Sequence, residues 1–283
     1  MSKHVLKAFP YTNKAYIRAG SALKEAWPLL HAGDREPFPD AAAIKRVVTA
    51  HKALVPACGV DKAAAQLQDA WRAYHAGEFG EAIAGGLALG LLGANVANKA
   101  SNIYATYLEA DEARKLALFQ EAAGRAEALQ KAAPDLPNAW YFHAQALGRY
   151  SQGISVAKAL AEGLATRVRH SLERTLALDD KHAEAHIAFG SYHAEIVAKV
   201  GTMLAGLTYG AKREAALLHF ETALRLLPHS AIARIEYANG LAMLFGRAKL
   251  ADARKLYTEA AKCTPEDAME RLDVEQAKSE LVA

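Results

Sequence analysis

The chain has 283 residues, of which 52% are hydrophobic and 23% are charged, so it can bury the core of one large domain or of two ordinary ones. Its net charge of +3, without a run of Lys or Arg, argues against a nucleic-acid-binding protein. The two cysteines, Cys58 and Cys263, lie far apart outside any CxxC pair, which argues against a structural zinc site and a disulfide scaffold.

The N-terminal segment has no apolar run of the kind that a secretory signal needs before Lys14 and Arg18. The sequence therefore predicts a cytoplasmic protein. No uncharged apolar run reaches the ~18 residues of a membrane span, so no transmembrane segment is expected. The nearest candidate is the glycine-rich stretch 82–98, AIAGGLALGLLGANVAN, which we interpret as a buried helix.

Apolar residues recur every three or four positions along the chain, and alternating runs of β-branched residues are missing, which predicts helices and no sheet. Short breaks separate the helices at 31–40, 55–61, 75–78, 133–138, 178–182, 227–230 and 263–267. The last break places Thr264, Pro265 and Asp267 at the cap, first-turn and capping-box positions of a new helix. Helices joined by such short turns predict an all-α antiparallel array.

A helix and turn near the N-terminus occur twice. The segments LKEAWPLLHAGD (23–34) and LQDAWRAYHAGE (67–78) share Leu, Ala, Trp, His, Ala and Gly at a separation of 44 residues. Repetition at tens of residues is typical of a solenoid, in which one supersecondary unit stacks on the next.

A second pattern occupies EAALLHFETALRLLP (214–228) and returns in DARKLYTEAAKCTP (252–265). Matching positions hold Ala216, Phe220, Ala223 and Pro228, then Ala253, Tyr257, Ala260 and Pro265. Small residues let the two helices of a hairpin approach closely, the aromatic residue fills the space to the next hairpin, and the proline starts the next turn. This spacing resembles the second helix of a tetratricopeptide repeat (TPR).

The segments in front of these helices resemble the first TPR helix. They carry large and small residues at the corresponding places: Trp140 and Ala144, then Gly190, then Tyr237 and Ala238. The resemblance is clear over 135–265 and weaker over the divergent repeats of 20–134. It implies a single domain, 1–283, folded as a TPR-like superhelix of about a dozen helices, with 266–283 as a C-terminal capping helix.

The hairpins contain more residues than a plain TPR, which has 34 residues. The surplus lies in three apolar, glycine-rich stretches, 85–100, 151–165 and 197–211, each of which we expect to form an extra helical segment that is buried in the core, lines a cavity or forms an interface. Glycine pairs are expected to allow close helix crossings: Gly86 with Gly90, and Gly206 with Gly210. Long hairpins with such insertions are similar to the TPR-built accessory subunit of TRAP-type solute transporters. That likeness implies an alternative function, in which a transporter-associated or solute-binding protein holds a small ligand in an apolar cavity.

The sequence contains no GxSxG, P-loop, HExxH or dinucleotide-binding signature, so we predict a non-enzymatic protein that needs no cofactor. His182, His186 and His193 lie on one side of a helix, and the first two have the spacing of metal ligands. We interpret His182 as a turn residue, His186 as the large residue of the first-helix pattern and His193 as part of a polar stripe, and predict no metal site. The tryptophans are interpreted as core residues: Trp27, Trp71 and Trp140.

The concave face of the superhelix is the expected contact surface, lined by first-helix positions four residues apart. These predicted partner-binding residues are Tyr141, Gln145 and Arg149, then Ile187, Ser191 and Glu195, then Ile235, Asn239 and Met243. TPR domains that grip a C-terminal carboxylate need lysines where Ile187 and Ile235 stand, although Asn239 fits. We therefore predict protein–protein interaction or scaffolding, with an apolar or amphipathic partner segment such as a helix.

Overall fold

The computed structural model describes residues 6–282, and all regular secondary structure in this range is helical, which confirms the predicted all-α class. The first α-helices are α1 (Ala22–Leu30), α2 (Ala41–Ala50), α3 (Val60–Ala76), α4 (Phe79–Ala88), α5 (Ala94–Tyr107), α6 (Glu112–Ala132), α7 (Pro137–Gln152) and α8 (Val156–Ala161). The others are α9 (Leu164–Leu178), α10 (Ala183–Val200), α11 (Thr202–Tyr209), α12 (Arg213–Leu226), α13 (Ala231–Phe245), α14 (Leu250–Ala260) and α15 (Ala268–Val282). Short 3-10 helices lie at Lys14–Tyr16, Lys52–Leu54, Gly90–Gly93 and Gly246–Lys249.

The helices pack as a stack of hairpins. The hairpin partners are α3 with α4, α5 with α6, α7 with α9, α10 with α12, and α13 with α14. The first helices α5, α7, α10 and α13 lie side by side, so together they form one continuous face of the stack. This arrangement is the helical-repeat superhelix that the sequence predicts.

The second-helix pattern has the packing role that the sequence predicts. Its four alanines are buried: Ala216, Ala223, Ala253 and Ala260. The fully buried ring of Phe220 stacks on Tyr237 of the next hairpin, with ring centroids 5.2 Å apart. Gly190 on α10 and Gly240 on α13 flank the ring, and a Cβ atom on either glycine would lie within 3 Å of it. The aromatic residue therefore joins neighbouring hairpins.

The two copies of the N-terminal repeat pack against each other. The rings of Trp27 and Trp71, which occupy equivalent positions, meet edge to face with centroids 5.7 Å apart. Both indoles are buried, as predicted, whereas Trp140 is half-buried and donates its indole N–H to the carbonyl of Pro134. The duplicated sequence thus marks a pair of packed surfaces around one core cluster.

Two of the three insertions are largely exposed and contribute little to the core, although 151–165 borders a cavity on the first-helix face. The helix α8 contains no buried residue, and α11 buries only Ala205. Met203 and Leu207 are 79% and 81% exposed on the outer side of α11. No hairpin stacks on this side of α11 in the described chain, so its apolar side chains stay in contact with solvent.

The glycines of the insertions act differently from the prediction. A Cβ atom on Gly206 would meet nothing within 4 Å, and Gly210 has a left-handed φ of 62° where α11 ends, so this pair makes no helix crossing. In the first insertion, Gly86 packs against Gly93 instead of Gly90, and a Cβ atom on Gly86 would lie 2.7 Å from the Gly93 carbonyl oxygen. Only this insertion contributes a close backbone contact inside the core.

The C-terminal helix α15 folds back onto the stack and packs against α3, α13 and α14. Its buried face includes Leu272, Val274 and Ala277. Polar contacts join its N-terminal end to the start of the chain: Arg18 pairs with Glu266 at 3.3 Å. The helix therefore connects the two ends of the superhelix.

Candidate binding site on the concave face

A cavity of about 170 Å³ opens on the face formed by the first helices. Side chains of α5, α7, α10 and α13 form its walls, α8 and α9 form one side, and α15 closes another part. The walls are mainly aliphatic and aromatic, with representative members Ile103, Leu160, Leu164, Ile187, Ile196 and Ile232. Apolar walls around a concave space are the usual setting of a ligand or peptide site.

Six of the nine predicted partner-binding residues line this cavity. They come from α7 and α10: Tyr141, Gln145, Arg149, Ile187, Ser191 and Glu195. Residues four apart share one face of a helix, which is why each group of three faces the same space. Tyr141 and Ile187 are only 4% and 5% exposed, so they form the floor of the cavity and not its rim.

The third predicted group, on α13, lies elsewhere. Ile235 is 1% exposed and packs in a cluster with Val274 of α15. The side-chain oxygen of Asn239 accepts a hydrogen bond from the Tyr257 hydroxyl, and Met243 is exposed outside the cavity. The cavity is lined instead by Ile232 and Glu236, because α15 takes the neighbouring face of α13.

Charged side chains of the cavity wall form paired contacts across the helices. The guanidinium of Arg149 on α7 lies 2.8 Å from a carboxylate oxygen of Glu236 on α13. The Ser191 hydroxyl on α10 donates to the other oxygen of Glu236 at 2.9 Å. Near the opening, Lys199 pairs with Glu195 at 3.0 Å. These contacts join three first helices and leave the Arg149 and Glu236 charges neutralised by each other.

A buried charge cluster stands behind the cavity. The ammonium of Lys99 on α5, which is 1% exposed, lies 2.5 Å from Asp34 and 3.1 Å from Glu184, a residue of the cavity wall. Burial opposes the charge of Lys99, but the two carboxylates outweigh it and raise the lysine pKa. Burial also opposes ionisation of Asp34, yet His31 and Lys99 hold the Asp34 pKa well below its usual value. The cluster therefore holds together charged residues from three segments that are far apart in the sequence.

Two histidines from the N-terminal repeat continue this network. His31 Nδ1 lies 2.8 Å from Asp34, His75 Nδ1 lies 2.7 Å from Asp267, and the two Nε2 atoms are 3.2 Å apart. Burial lowers the pKa of His31 to about 4, in opposition to the Asp34 carboxylate beside it. His31 therefore adds no positive charge at neutral pH, and Lys99 is the cation that pairs with Asp34.

One buried carboxyl of the cavity wall has no cationic partner. Asp273 on α15 is 2% exposed and accepts a hydrogen bond from the Tyr107 hydroxyl of α5. Burial raises the pKa of Asp273 to about 8, in opposition to that hydrogen bond. Burial, followed by the neighbouring Asp273, raises the pKa of Tyr107 well above its usual value. At neutral pH the pair is therefore a carboxylic acid beside a phenol.

The histidines of α10 occupy two different environments. His182 is buried at the N-cap, where its Nδ1 accepts the Ala185 N–H at 3.0 Å. His186 forms a 2.8 Å Nδ1–Nδ1 contact with His219 of α12, and the ring of His193 stacks parallel to that of His219. Within residues 6–282, no group of three or more His, Cys, Asp or Glu side chains has the geometry of a metal site.

Sequence patterns did not identify the charged residues of the site: Asp34, Lys99, Glu184, Glu236 and Asp273. Asp34 lies in the turn after α1 and the other four lie on helices, and their Lys, Arg and Tyr partners are between 65 and 166 positions away in the chain. One usable signal was the N-terminal repeat, because its equivalent histidines, His31 and His75, meet in the structure. Equivalent residues of packed repeats are candidates for direct contact.

Comparison with known proteins supports the fold. No protein-family model matches the sequence, and no curated protein matches it. Among solved structures, the chain is similar to a thermophilic TPR protein of Thermus thermophilus, at a TM-score of 0.55 and 15% sequence identity. The match covers 77% of this chain and 99% of the other. Within residues 6–282, no helix has the length and apolar character that crossing a membrane requires. The likeness shows that this chain has a TPR-like helical-repeat fold.

Proposed function

We propose that the chain is a non-enzymatic interaction module whose concave face binds an amphipathic segment of a partner protein. The observation that supports this function most directly is the cavity on the first-helix face, which combines an apolar floor with a polar edge. Such a combination suits a helix that presents an apolar side and a charged side. The packing of α15 beside the cavity supports a helix as the shape of the partner, because a helix already occupies the adjoining surface.

Partner capture by matched surface variants tests this proposal. Leu160 is 47% exposed and lines the cavity, whereas Leu218 on α12 is 61% exposed and lies away from it. Both positions tolerate a charge in the folded chain because they already face solvent. Leu160→Asp should lose a partner that is captured from native cells by the unaltered protein, and Leu218→Asp should keep it. Equal capture by the two variants, at matched thermal stability, would contradict binding at the cavity.

A second candidate function is the holding of a small ligand in the same cavity. The supporting observation is that the insertion 151–165 contributes Val156, Ala159 and Leu160 to the wall, so the segment that departs from a plain TPR borders this space. This is the function implied by the likeness to transporter accessory subunits. Native mass spectrometry of the protein, purified without organic additives, should then show an added mass that is lost on denaturation. A spectrum of the bare chain alone would favour the partner-binding function.

A further inference from the structure

The carboxyl group of Asp273 is distinguished from every other acid of the cavity wall by its lack of a cation. Glu184 has Lys99 at 3.1 Å, Glu236 has Arg149 at 2.8 Å, and Glu195 has Lys199 at 3.0 Å. Asp273 has only the Tyr107 hydroxyl as a side-chain partner among the described residues. A carboxylate in a buried position without a compensating charge is costly, so the acid stays protonated until a cation arrives.

The surroundings of Asp273 contain no spare cation that could move to it. The charged groups that act on Asp273 and Tyr107 are Arg149, Glu184 and Glu236 from the neighbouring helices, together with Asp267 and Glu270 from the start of α15 itself. Arg149 is the one cation of this set, and its guanidinium is already paired with Glu236. Lys199, the other cation of the cavity wall, is paired with Glu195, so a cation for Asp273 has to come from outside the chain.

The cavity that Asp273 lines has the size of a small organic molecule. A volume of about 170 Å³ is close to that of apolar protein cavities that hold a benzene molecule. The wall of the cavity that Asp273 lines also includes Ile103, Met269 and the rings of Tyr107 and Tyr141. Aromatic faces attract cations and aliphatic groups shield them from water, so these walls suit an alkyl or arylalkyl chain that ends in an ammonium group.

We infer that the cavity is a binding site for a compact organic ammonium ion, whose charged group pairs with Asp273 and whose apolar body lies against the cavity wall. This inference rests on the second candidate function, ligand binding in the cavity, and adds the chemical class of the ligand. The same chemistry is present in a free amine and in the lysine side chain of a partner segment. In both cases the protein supplies the carboxylate and the ligand supplies the cation.

Binding of the cation is coupled to release of a proton. The free protein holds Asp273 as a carboxylic acid at neutral pH, since burial raises its pKa to about 8. An ammonium group beside it favours the carboxylate, so the proton leaves as the ion pair forms. Affinity should therefore rise between about pH 6 and about pH 9, where an alkylammonium stays protonated.

Calorimetric titration of the full chain with n-hexylammonium tests the inference, with 1-hexanol and hexanoate as probes of the same length but different charge. Hexylammonium should bind at least about tenfold more tightly than hexanol, and hexanoate should bind more weakly than both. Titration in two buffers of different ionisation enthalpy should show proton release at pH 7. Asp273→Asn should reduce hexylammonium to the affinity of hexanol, while Asp252→Asn, at an exposed position on α14, should leave it unchanged.

The variant is expected to fold, because asparagine replaces a carboxyl group that is already uncharged at neutral pH. Equal affinities for hexylammonium and hexanol would contradict the ammonium site but would still be consistent with an apolar ligand cavity. The absence of proton release when hexylammonium binds the unaltered protein would also contradict the ammonium site, independently of any variant. A helical peptide with one lysine, compared with its norleucine analogue, separates the two sources of the cation. Failure of both hexylammonium and the lysine peptide to bind would refute the inference.

Discussion

Replacement of Gly240 by alanine should destabilise the protein, although glycine-to-alanine changes inside helices usually stabilise. A Cβ atom at this position would lie 2.8 Å from Cζ of Phe220, well inside the contact distance of two carbon atoms. The ring has little room to retreat, since Gly190 stands on its other side and would place its own Cβ 2.7 Å from the ring. Overpacking of this kind costs about 1–3 kcal/mol, whereas alanine gains about 1 kcal/mol over glycine in a helix interior.

The expected net loss for Gly240→Ala is up to about 2 kcal/mol, or a fall in Tm of up to roughly 8 °C. Gly124 on α6 is the matched control, because a Cβ atom there would meet nothing within 4 Å. Gly124→Ala should therefore raise stability by up to about 1 kcal/mol. Urea unfolding followed by circular dichroism measures both variants, with an unchanged m-value as the check that the two states are comparable. If both alanines stabilise the protein, Phe220 is not clamped between the two glycines.

Three further changes have defined outcomes. Lys99→Met leaves two buried carboxylates without their cation and should cost about 3–5 kcal/mol in urea unfolding at pH 7, while the exposed control Lys181→Met should stay within about 0.5 kcal/mol. Ile235→Asp should cost at least about 3 kcal/mol, because it places a charge between α13 and α15; a near-native unfolding midpoint would show that this residue is exposed. Burial, followed by its neighbouring histidine, lowers the pKa of His193 to about 4. Since the unfolded chain takes up the proton near pH 6.5, stability should be complete above that pH and fall towards pH 4, and a plot of Tm against pH should be shallower for His193→Gln.

The local packing pattern was readable in the sequence because it depends on neighbours along one helix and on one helix beside it. Ala216 and Ala223 are on the side of α12 that must approach its hairpin partner, and the large residue between them, Phe220, fills the next gap. The structure confirms the burial of all three. A helical period and a small-residue pattern are properties of a short segment, so they can be recognised in the sequence without knowledge of the rest of the fold.

The sequence did not determine which face of α13 lines the cavity. This helix has apolar side chains around most of its circumference, including Ile232 and Ile235 on adjacent faces, so its own pattern does not say which face looks into the groove. The packing of α15 decides the matter: it covers Ile235 and leaves Ile232 and Glu236 to line the cavity. The sequence of α11 likewise does not predict its exposure, because an apolar helix is buried only if another element packs against it.

The sequence by itself determined the all-α class, the hairpin pattern of the clearer repeats and the cavity-facing side of α7 and α10. The tertiary structure alone decided which residues meet across the stack. Lys99 pairs with Asp34 and Glu184, and Asp273 accepts a hydrogen bond from Tyr107. These residues are too far apart in the sequence for the pattern of a single helix to predict the contacts. The physical reason is that a helix fixes the direction of its side chains within a turn or two, whereas the partner that a charge meets depends on how whole helices stack.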